Sequence, residues 1–561
     1  MKRAWMLLLL VPLAGCLDGD DVETEPGPAP AFQQADADPF FANVTVAGDL
    51  DLSVLSQPIH GILPVSQELV TMSDGINIHN GVYLPDGDGP FPVFINFSPY
   101  WGDTAETMGD NFGKYLIENF VPRGYAVVLS AIRGTGHSEG CFEVASDREA
   151  MDLKEVIDHY ATQPWSNGHV AAGGKSYDST TQNAVIAKFP TPNLKAIFHV
   201  SGITDMYSYT FHNGLWARAD AGLFTTVYSA GQGTNEGFTN GEGTPDGAKI
   251  LRTVGDLTCQ ENVETVVIPV STYATGAKTD YWIERDWTRD IGSTDWNGSI
   301  FFYHGFHDWN VQPSHIQPWI DNLPEHIDVK LWLHQDKENL GHLYPMRTDW
   351  NLTFLRWLDQ ELKGIDTGFW DEPRNELEGT DRVWRAMDDW PATHQAVAWD
   401  GSGAGGNTQI GVSLSYTPSL TVSRDQIGVE GAYRLAGSLT ATFDMTAKSA
   451  DPAVTMIVRV GDTWVGEASL RAIFRDGLET PSAVVPGLPV TYTLETYPLD
   501  VVVPEGQDLV LEFGGEPRQV LALPTQMQGN EYDIGDLVLG LPLAPMDALA
   551  IQPKPMPCIA C

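Results

Sequence analysis

Short apolar runs alternate with segments of helical periodicity between about residues 65 and 365. The runs VFINF (93–97) and YAVVLS (125–130) are typical of buried strands. The segment REAMDLKEVIDHYATQ (148–163) instead places apolar residues at helical spacing. Two further strands, HVAAGG (169–174) and LKAIFHVSG (194–202), follow it. Alternation of strands and helices predicts a parallel sheet with crossover helices, which is an α/β fold.

The pattern changes twice further along the chain. Between about residues 205 and 290 it loosens and becomes rich in Trp, Tyr, Gly and Thr, which we interpret as a mostly helical cap inserted over the sheet. Alternation then returns, and the last helix ends at Gly364 as its C-cap. We therefore assign residues 61–375 to one α/β domain with a cap. From 376 to 561, period-2 runs with Gly, Asp and Pro turns predict an all-β sandwich of jelly-roll type.

The N-terminal segment has the features of an export signal. Lys2 and Arg3 precede the apolar run 4–14, which is too short to span a bilayer but suits a signal-peptide core. The run ends in Leu-Ala-Gly-Cys at 13–16, which resembles a lipoprotein cleavage box. We predict lipid attachment at Cys16, with 1–16 as signal and lipobox and 17–60 as an acidic, Pro/Ala-rich tether and entry segment. A plain secretory signal is the alternative. Either way we expect an extracytoplasmic protein, and the lipid would anchor it to the membrane at the cell surface.

The net charge bears on which partners the protein can bind, and the cysteine content bears on its disulfides. The chain carries 74 acidic against 32 basic residues, a formal net charge of −42. Such a balance argues against nucleic acid, because phosphate binding needs basic patches. If Cys16 carries lipid, four cysteines remain, and in an exported chain they favour disulfides whose pairing is open among three connectivities. They are Cys141, Cys259, Cys558 and Cys561. The sequence does not indicate the oligomeric state.

A candidate nucleophile lies in the stretch GGKSYD at 173–178. Ser176 falls between a predicted strand and a predicted helix, where a strained turn can expose a serine oxygen. A hydrolytic serine needs a base, and the base needs an acid to orient it. Asp308 follows the strand SIFFYHG (299–305), and His342 follows the next strand, DVKLWLHQ (328–335). The order Ser, Asp, His fits this type of sheet, whose ligand sites lie at the carboxyl ends of strands.

Other polar residues near these positions have simpler interpretations. His304 and His307 suggest a metal site, but without a third ligand at a telling distance we predict no metal. We expect His304 to pack at a strand end. His334 is a rival base, but it lies within or at the end of a strand. Asp336 and Glu338 are expected to be solvated loop charges.

Several motifs in register resemble the X-prolyl dipeptidyl aminopeptidase and cocaine esterase (CocE/NonD) family of serine hydrolases. The nucleophile turn GKSY (174–177), the run QPWSNGHVAAGGKSY that leads into it and the acid motif HGFHDWNVQP (304–313) are similar to those of the family. So are RGTGHSEGCF (133–142) and VWRAMDDWP (383–391), the latter at the junction to a C-terminal β domain. The similarity covers about residues 65 to 545, and it implies an α/β-hydrolase domain followed by a jelly-roll domain.

The resemblance implies a role for each matching residue. Ser176 would be the nucleophile, Asp308 the acid and His342 the base. The oxyanion would be held by the hydroxyl of Tyr100, in NFSPYW, and by the backbone N–H of Tyr177. Neither a metal nor an organic cofactor is implied.

Two positions depart from the family pattern. Ser179 stands where glycine is usual, so we expect strain there without loss of activity. Ala131 stands where the family often has Asp, which puts the structure of that loop in doubt.

The substrate is left open by the sequence. The acid motif favours an X-Pro dipeptidyl peptidase acting on small peptides. A carboxylesterase or an α-amino acid ester hydrolase acting on acyl esters is the first alternative. A catalytically inactive lipoprotein that binds a partner at the cell surface is the second.

Overall fold

The structure is a computed structural model, and it describes most of the chain from residue 51 onwards. The described ranges are 51–101, 112–217, 275–336, 341–407, 419–514 and 530–548, with a few shorter pieces. Among these pieces, two short strands pair with each other, Gln33–Gln34 and Thr45–Val46. Within the part of the chain that is described, no helix is both long and apolar enough to cross a bilayer.

An eleven-stranded mixed sheet organises the first half of the molecule. Its strands, in chain order, are β1 Ser66–Thr71, β2 Asn77–Tyr83, β3 Phe91–Ser98, β4 Ala126–Ala131, β5 Ser166–Lys175, β6 Leu194–Val200, β9 Ser299–Gly305, β10 Asp328–His334, β11 Asn375–Glu378, β12 Trp384–Met387 and β24 Ala550–Ile551. Across the sheet the order is β24-β12-β11-β10-β9-β6-β5-β3-β4-β2-β1. The seven strands from β11 to β4 are parallel, and the two strands at each edge pair antiparallel. The predicted α/β class is therefore confirmed.

Helices cover both faces of this sheet because each has an apolar side. The helices are α1 Phe112–Phe120, α2 Asp147–Ala161, α3 Thr181–Lys188, α4 Met206–Thr210, α5 Asp280–Glu284, α6 Gln317–Asn322 and α7 Trp350–Lys363. Helix α2 buries Leu153, Val156 and Ile157 in the core on one face. Helix α7 buries Leu355 and Leu358 in a separate core on the other face. Burial of one such side chain contributes roughly 1.5–3 kcal/mol.

The predicted cap is described only at its two ends. Residues 218–274 of the interval 205–290 lie outside the described residues. At the first end, β7 Phe211–His212 and β8 Leu215–Ala217 form a three-stranded sheet with β22 Val520–Leu521. At the other end, α5 packs beside α4. Among the described residues the ends of this interval thus contain short strands as well as helices.

The C-terminal half contains two antiparallel sheets that share one core. The first contains β13 His394–Asn407, β15 Tyr433–Gly437, β16 Thr440–Ala447, β19 Pro489–Glu495, β20 Leu499–Val503 and β23 Asn530–Ala544. The second contains β14 Ser419–Val422, β17 Ala453–Val460, β18 Thr463–Arg471 and β21 Leu509–Phe513. A one-turn helix, α8 Arg424–Ile427, follows β14. Phe443 and Phe513, one from each sheet, meet with ring centroids 5.2 Å apart.

The eleven-stranded α/β sheet continues past residue 375, the limit assigned to its domain from the sequence. Strands β11 and β12 begin at Asn375 and Trp384, and the late strand β24 pairs with β12. The C-terminal segment therefore returns to the edge of the α/β sheet after building the two β-sheets. In addition, the carbonyl of Asp500 accepts a bond of 2.9 Å from the Gln335 side chain. Through these contacts the C-terminal half touches the loop that follows β10.

Candidate active site

Three loops with the predicted catalytic residues lie at the same edge of the sheet. Strands β5, β9 and β10 are parallel, with β6 between β5 and β9, so their carboxyl ends point the same way. Ser176 follows the last residue of β5, Asp308 lies three residues after β9, and His342 lies in the loop after β10. Open parallel sheets bind ligands at this edge.

Ser176 occupies a strained turn between β5 and α3. Its φ is 63°, a left-handed conformation that costs free energy for a residue with a Cβ. It is the first residue of a short 3₁₀ turn, Ser176–Ser179, that leads into α3. The Thr180 hydroxyl donates to the Ser176 carbonyl at 2.9 Å and closes this turn. Ser176 is half-buried, so its side chain retains access to solvent. A strained strand–turn–helix geometry of this kind can serve as a nucleophile elbow.

Ser179 fits the space where the family has glycine. The Ser179 hydroxyl donates to the Val200 carbonyl at 3.0 Å, and its φ is not left-handed. Room for it exists because residue 202 is glycine, since a Cβ there would lie 2.5 Å from the Ser179 oxygen. The strain expected at Ser179 is therefore absent from its backbone and lies at Ser176 instead. At the other departure, Ala131 ends β4, and its carbonyl accepts a bond of 2.7 Å from the Ser138 hydroxyl.

Asp308 and His342 form a hydrogen-bonded pair. The Nδ1 atom of His342 donates to Asp308 Oδ2 at 2.9 Å. The other carboxylate oxygen accepts from the backbone N–H groups of Asn310 and Val311, at 2.9 and 3.0 Å. The Asp308 side chain is fully buried, whereas that of His342 is 13% exposed. Asp308 is therefore fixed in place, and His342 is left with Nε2 free of this pair.

The electrostatics of this pair favour an ionised Asp308. Burial by itself would raise the pKa of the Asp308 carboxyl, because the charged form loses hydration. The adjacent His342 imidazole, together with His304 and the Ser201 hydroxyl, outweighs burial, and the pKa of Asp308 lies below its ordinary value. An ionised, buried carboxylate holds the histidine in the Nδ1–H tautomer, which leaves Nε2 able to accept a proton.

The loop that carries His342 approaches the other two loops closely. A Cβ at Gly341 would lie 2.5 Å from the backbone nitrogen of Asp308, and the φ of Gly341 is 76°. Only glycine fits this conformation and this spacing without displacement. On the other side, the Lys175 ammonium lies 5.0 Å from the ring centroid of Tyr344. Lys175, which precedes Ser176, is thus in contact with Tyr344, two residues after His342.

Buried histidines surround Asp308 on the inner side. Burial lowers the pKa of His315 to about 3 and that of His334 to about 4. Burial also lowers the pKa of His304, whose Nε2 donates to the Val311 carbonyl at 2.8 Å and lies 3.7 Å from Asp308. These rings are therefore neutral at pH 7. His304 and His334 lie at the ends of β9 and β10, and their ring contacts make them part of the interior.

The predicted oxyanion donors lie at strand ends on the same edge. Tyr100 follows β3 by two residues and is half-buried, and its backbone N–H donates to the Ser98 hydroxyl at 3.1 Å. Tyr177 directly follows Ser176. Its side chain is buried and points away from solvent, and its hydroxyl donates to Glu149 at 2.7 Å. The backbone N–H of Tyr177 belongs to the 3₁₀ turn before α3.

Two polar clusters near the site have no signal in the sequence. The first joins Glu149 to Tyr177. The second joins Lys278 to Asp205 and Asp286, whose carboxylate oxygens lie 2.8 and 2.6 Å from the ammonium nitrogen. All three of these side chains are buried. Their partners are distant in sequence, and local periodicity gives no information about such pairs.

The predictions for the cysteines and for a metal site can be compared with the described residues only in part. Cys141 is disulfide-bonded. Cys16, Cys259, Cys558 and Cys561 lie outside the described residues, so the predicted lipid attachment stays a prediction. Among the residues that are described, no group of three or more His, Cys, Asp or Glu side chains is arranged to hold a metal ion.

Comparison with known proteins finds relatives of the α/β part of the chain. Residues 74–337 match the family model of the X-Pro dipeptidyl-peptidases (S15 family). The resemblance drawn from the motifs is confirmed. A putative Xaa-Pro dipeptidyl-peptidase of Bacillus anthracis is 30% identical over 295 residues, which cover 50% of this chain and 45% of that relative. The Xaa-Pro dipeptidyl-peptidase of Streptococcus pneumoniae R6 is 26% identical and covers 46% of this chain and 34% of its own length. The chain thus spans less than half the length of these two relatives.

Solved structures with the same fold include a CocE/NonD family hydrolase and an α-amino acid ester hydrolase. A CocE/NonD family hydrolase from Staphylococcus aureus aligns with a TM-score of 0.66 and 17% identity, covering 87% of this chain and 98% of its own. An α-amino acid ester hydrolase aligns with a TM-score of 0.62 and 15% identity, covering 91% of this chain and 100% of its own. At such identities these neighbours show the fold, which is that of α/β hydrolases. The prediction of a hydrolase agrees with the family match and with the named hydrolases among the solved structures.

Proposed function

We propose that this protein is a serine hydrolase that cleaves amide or ester bonds through an acyl-enzyme intermediate. The observation that carries the proposal is the hydrogen bond between His342 and the buried Asp308 at 2.9 Å. This hydrogen bond lies at the same sheet edge as Ser176, which follows β5 with a left-handed backbone conformation. A pair of this kind gives a histidine the tautomer and the charge stabilisation needed to take a proton from a serine.

The reaction follows from these roles. His342 Nε2 takes the Ser176 proton as the serine oxygen attacks the acyl carbon. The oxyanion that forms accepts hydrogen bonds from the Tyr177 backbone N–H and the Tyr100 hydroxyl, and each such donor lowers the barrier by roughly 3 kcal/mol. His342 then protonates the leaving group. In the second half, His342 activates a water molecule that releases the acid from Ser176.

We place the substrate on the peptidase side, as an X-Pro dipeptidyl-peptidase acting on small peptides. The S15 family match supports this choice, as do relatives named Xaa-Pro dipeptidyl-peptidases. Esters are the second candidate, because an α-amino acid ester hydrolase shares the fold over almost its entire length. We further propose a jelly-roll type for the C-terminal sheets, and export with a lipid anchor on Cys16. The disulfide at Cys141 supports export, because such bonds persist in oxidising compartments.

The test compares an amide with esters on the same preparation. Hydrolysis of Gly-Pro-p-nitroanilide is measured beside p-nitrophenyl acetate and butyrate, at low and at high salt, with Ser176→Ala as the control. Anilide turnover that disappears in Ser176→Ala is the expected result. Ester turnover alone, also lost in Ser176→Ala, would move the protein to the esterases. No turnover of any of these substrates, together with no labelling by a serine-reactive phosphonate, would favour the third reading, an inactive surface-binding protein.

A further inference from the structure

The side chain of Tyr177 is anchored to a buried carboxylate on helix α2. Its hydroxyl donates to Glu149 Oε2 at 2.7 Å and accepts from the backbone N–H of Ala145 at 2.6 Å. Glu149 lies in the first turn of α2 and is fully buried. It also accepts from the backbone N–H groups of Glu143 and Ala145, at 3.0 and 2.9 Å. Three donors therefore converge on one carboxylate, which suits its ionised form.

The loop that shares this carboxylate is itself strained and firmly held. Val144 and Ala145 have φ values of 54° and 56°, both left-handed and both in residues with a Cβ. Such conformations persist only where the surroundings determine them, and they cluster at functional sites. Arg285, just after α5, donates to the Val144 carbonyl at 3.1 Å. The disulfide at Cys141 fixes the chain three residues earlier.

This anchor acts one residue away from the proposed nucleophile. Ser176 is strained at φ 63°, so the turn needs fixed points on both sides to keep its shape. On the upstream side, β5 pairs with β6 up to Lys175. On the downstream side, the Tyr177 ring packs 5.6 Å from that of Phe142, and its hydroxyl is held by Glu149. The backbone N–H of Tyr177, the proposed oxyanion donor, belongs to the residue so anchored.

We propose that Glu149 is a positioning residue of the hydrolytic centre, which orients the Tyr177 backbone N–H and the Ser176 turn through the Tyr177 side chain. The inference rests on the proposed serine hydrolase function. It predicts that loss of the Glu149–Tyr177 bond lowers the rate of the chemical step and leaves substrate binding nearly unchanged.

The protonation state of Glu149 gives a second readout. Burial raises its pKa to about 7, with Glu143 adding to the rise, whereas the Tyr177 hydroxyl and the two backbone N–H groups oppose it. The other groups that face it are Tyr281, whose pKa Glu149 helps to raise, and Arg285, which lies over the Tyr281 ring. A protonated carboxyl has to turn one O–H towards a donor, which breaks the convergence of three bonds. Activity should therefore fall on acidification more steeply than protonation of a single group allows.

The experiment uses the full chain with Glu149→Leu, which removes the acceptor, with Tyr177→Phe and with the double variant. Tyr177→Phe keeps the ring and the backbone N–H and removes only the hydroxyl, so it decides the outcome if Glu149→Leu fails to fold. The matched controls are Tyr160→Phe and Glu68→Leu. Tyr160 also lies on α2, is buried, and donates to Glu68 at 3.2 Å, but it lies in the last turn of the helix, whereas Glu149 lies in the first. Ester or anilide kinetics, pH profiles and thermal unfolding are recorded for all variants.

The expected result is a fall in kcat of about 10-fold to 100-fold in both single variants, with KM changed less than about twofold. The double variant should lose about as much activity as the single variant with the larger loss, and not the sum of the two losses, because the same bond is removed in each case. In the double variant, activity should fall less steeply with decreasing pH than it does in the wild type. The control variants should keep the wild-type kcat.

Two results would overturn the inference. Folded Glu149→Leu or Tyr177→Phe with kcat within about twofold of wild type would show that the anchor does not position the turn. Equal losses in the Tyr160 and Glu68 controls would assign the effect to general packing. A wild type without any Ser176-dependent turnover or labelling is a separate outcome, because it removes the proposed function itself, and the inference with it.

Discussion

Replacing Asp308 by asparagine tests the acid–base pair with little change in shape. In the wild type, Oδ1 accepts from two backbone N–H groups and Oδ2 accepts from His342 Nδ1. An asparagine has to present its oxygen to the two backbone donors, so its NH₂ group faces His342. The imidazole then accepts at Nδ1 and carries its proton on Nε2. In this tautomer it cannot take the proton of Ser176.

The magnitude follows from this tautomer argument. A wrong tautomer in a triad of this kind lowers kcat by about 10⁴-fold, which corresponds to about 5.4 kcal/mol of barrier. Stability should change little, because every buried polar atom of the asparagine finds a partner. His304 does not substitute for His342, because its Nε2 is engaged with the Val311 carbonyl. The cost should therefore appear in kcat almost in full.

The assay is steady-state hydrolysis of p-nitrophenyl acetate with a parallel urea unfolding curve. Asp336→Asn is the matched control, since Asp336 is an aspartate in the loop after β10 that takes no part in the proposed reaction. It should retain the wild-type rate. An Asp308→Asn variant that keeps more than about a tenth of the wild-type kcat would refute the tautomer argument.

Three further predictions concern the loops, the buried ions and the buried histidines. Gly341→Ala should lower kcat by about 100-fold, because a Cβ would lie 2.5 Å from the Asp308 nitrogen. The control Gly364→Ala has a similar positive φ but nothing within 4 Å of the added Cβ, so it should cost only about 1 kcal/mol of stability. Equal losses of activity in the two variants would contradict this prediction. Lys278→Met should lower the free energy of unfolding by about 3–5 kcal/mol in urea, because it leaves two buried carboxylates unpaired, whereas the half-exposed Lys448→Met should have almost no effect. Burial lowers the pKa of His334 to about 4, so the unfolded state binds its proton first as the pH falls below about 6.5, and this side chain should cost about 2 kcal/mol between pH 7 and 5. His334→Gln should lose correspondingly less stability over that range, and an unchanged pH slope would count against the assignment.

The parts of the fold that the sequence predicted are those set by local pattern. Continuous apolar runs became β3 and β4 within two residues of the predicted limits, and the periodic segment at 148–163 became α2. The end of the α/β sheet was not predicted in this way. Strand β24 joins the sheet from residues 550–551, and pairing across such a distance leaves no periodicity to detect.

The candidate site shows the same division. Ser176, Asp308 and His342 each follow a predicted strand, so topology alone brings their loops to one edge. Glu149 lies at a helical position that reads as an ordinary N-terminal acid, 28 residues from the tyrosine it holds. Its partner and its burial are properties of the packed structure.

The most direct test of the central claim is labelling of the full chain by a serine-reactive fluorophosphonate, followed by peptide mapping. The account predicts a covalent adduct on Ser176, absent in Ser176→Ala and present in Ser179→Ala. It also predicts much slower labelling in His342→Ala, because the base is missing. An adduct on another serine, or labelling that is unchanged in Ser176→Ala, would contradict the assignment of Ser176 as the nucleophile.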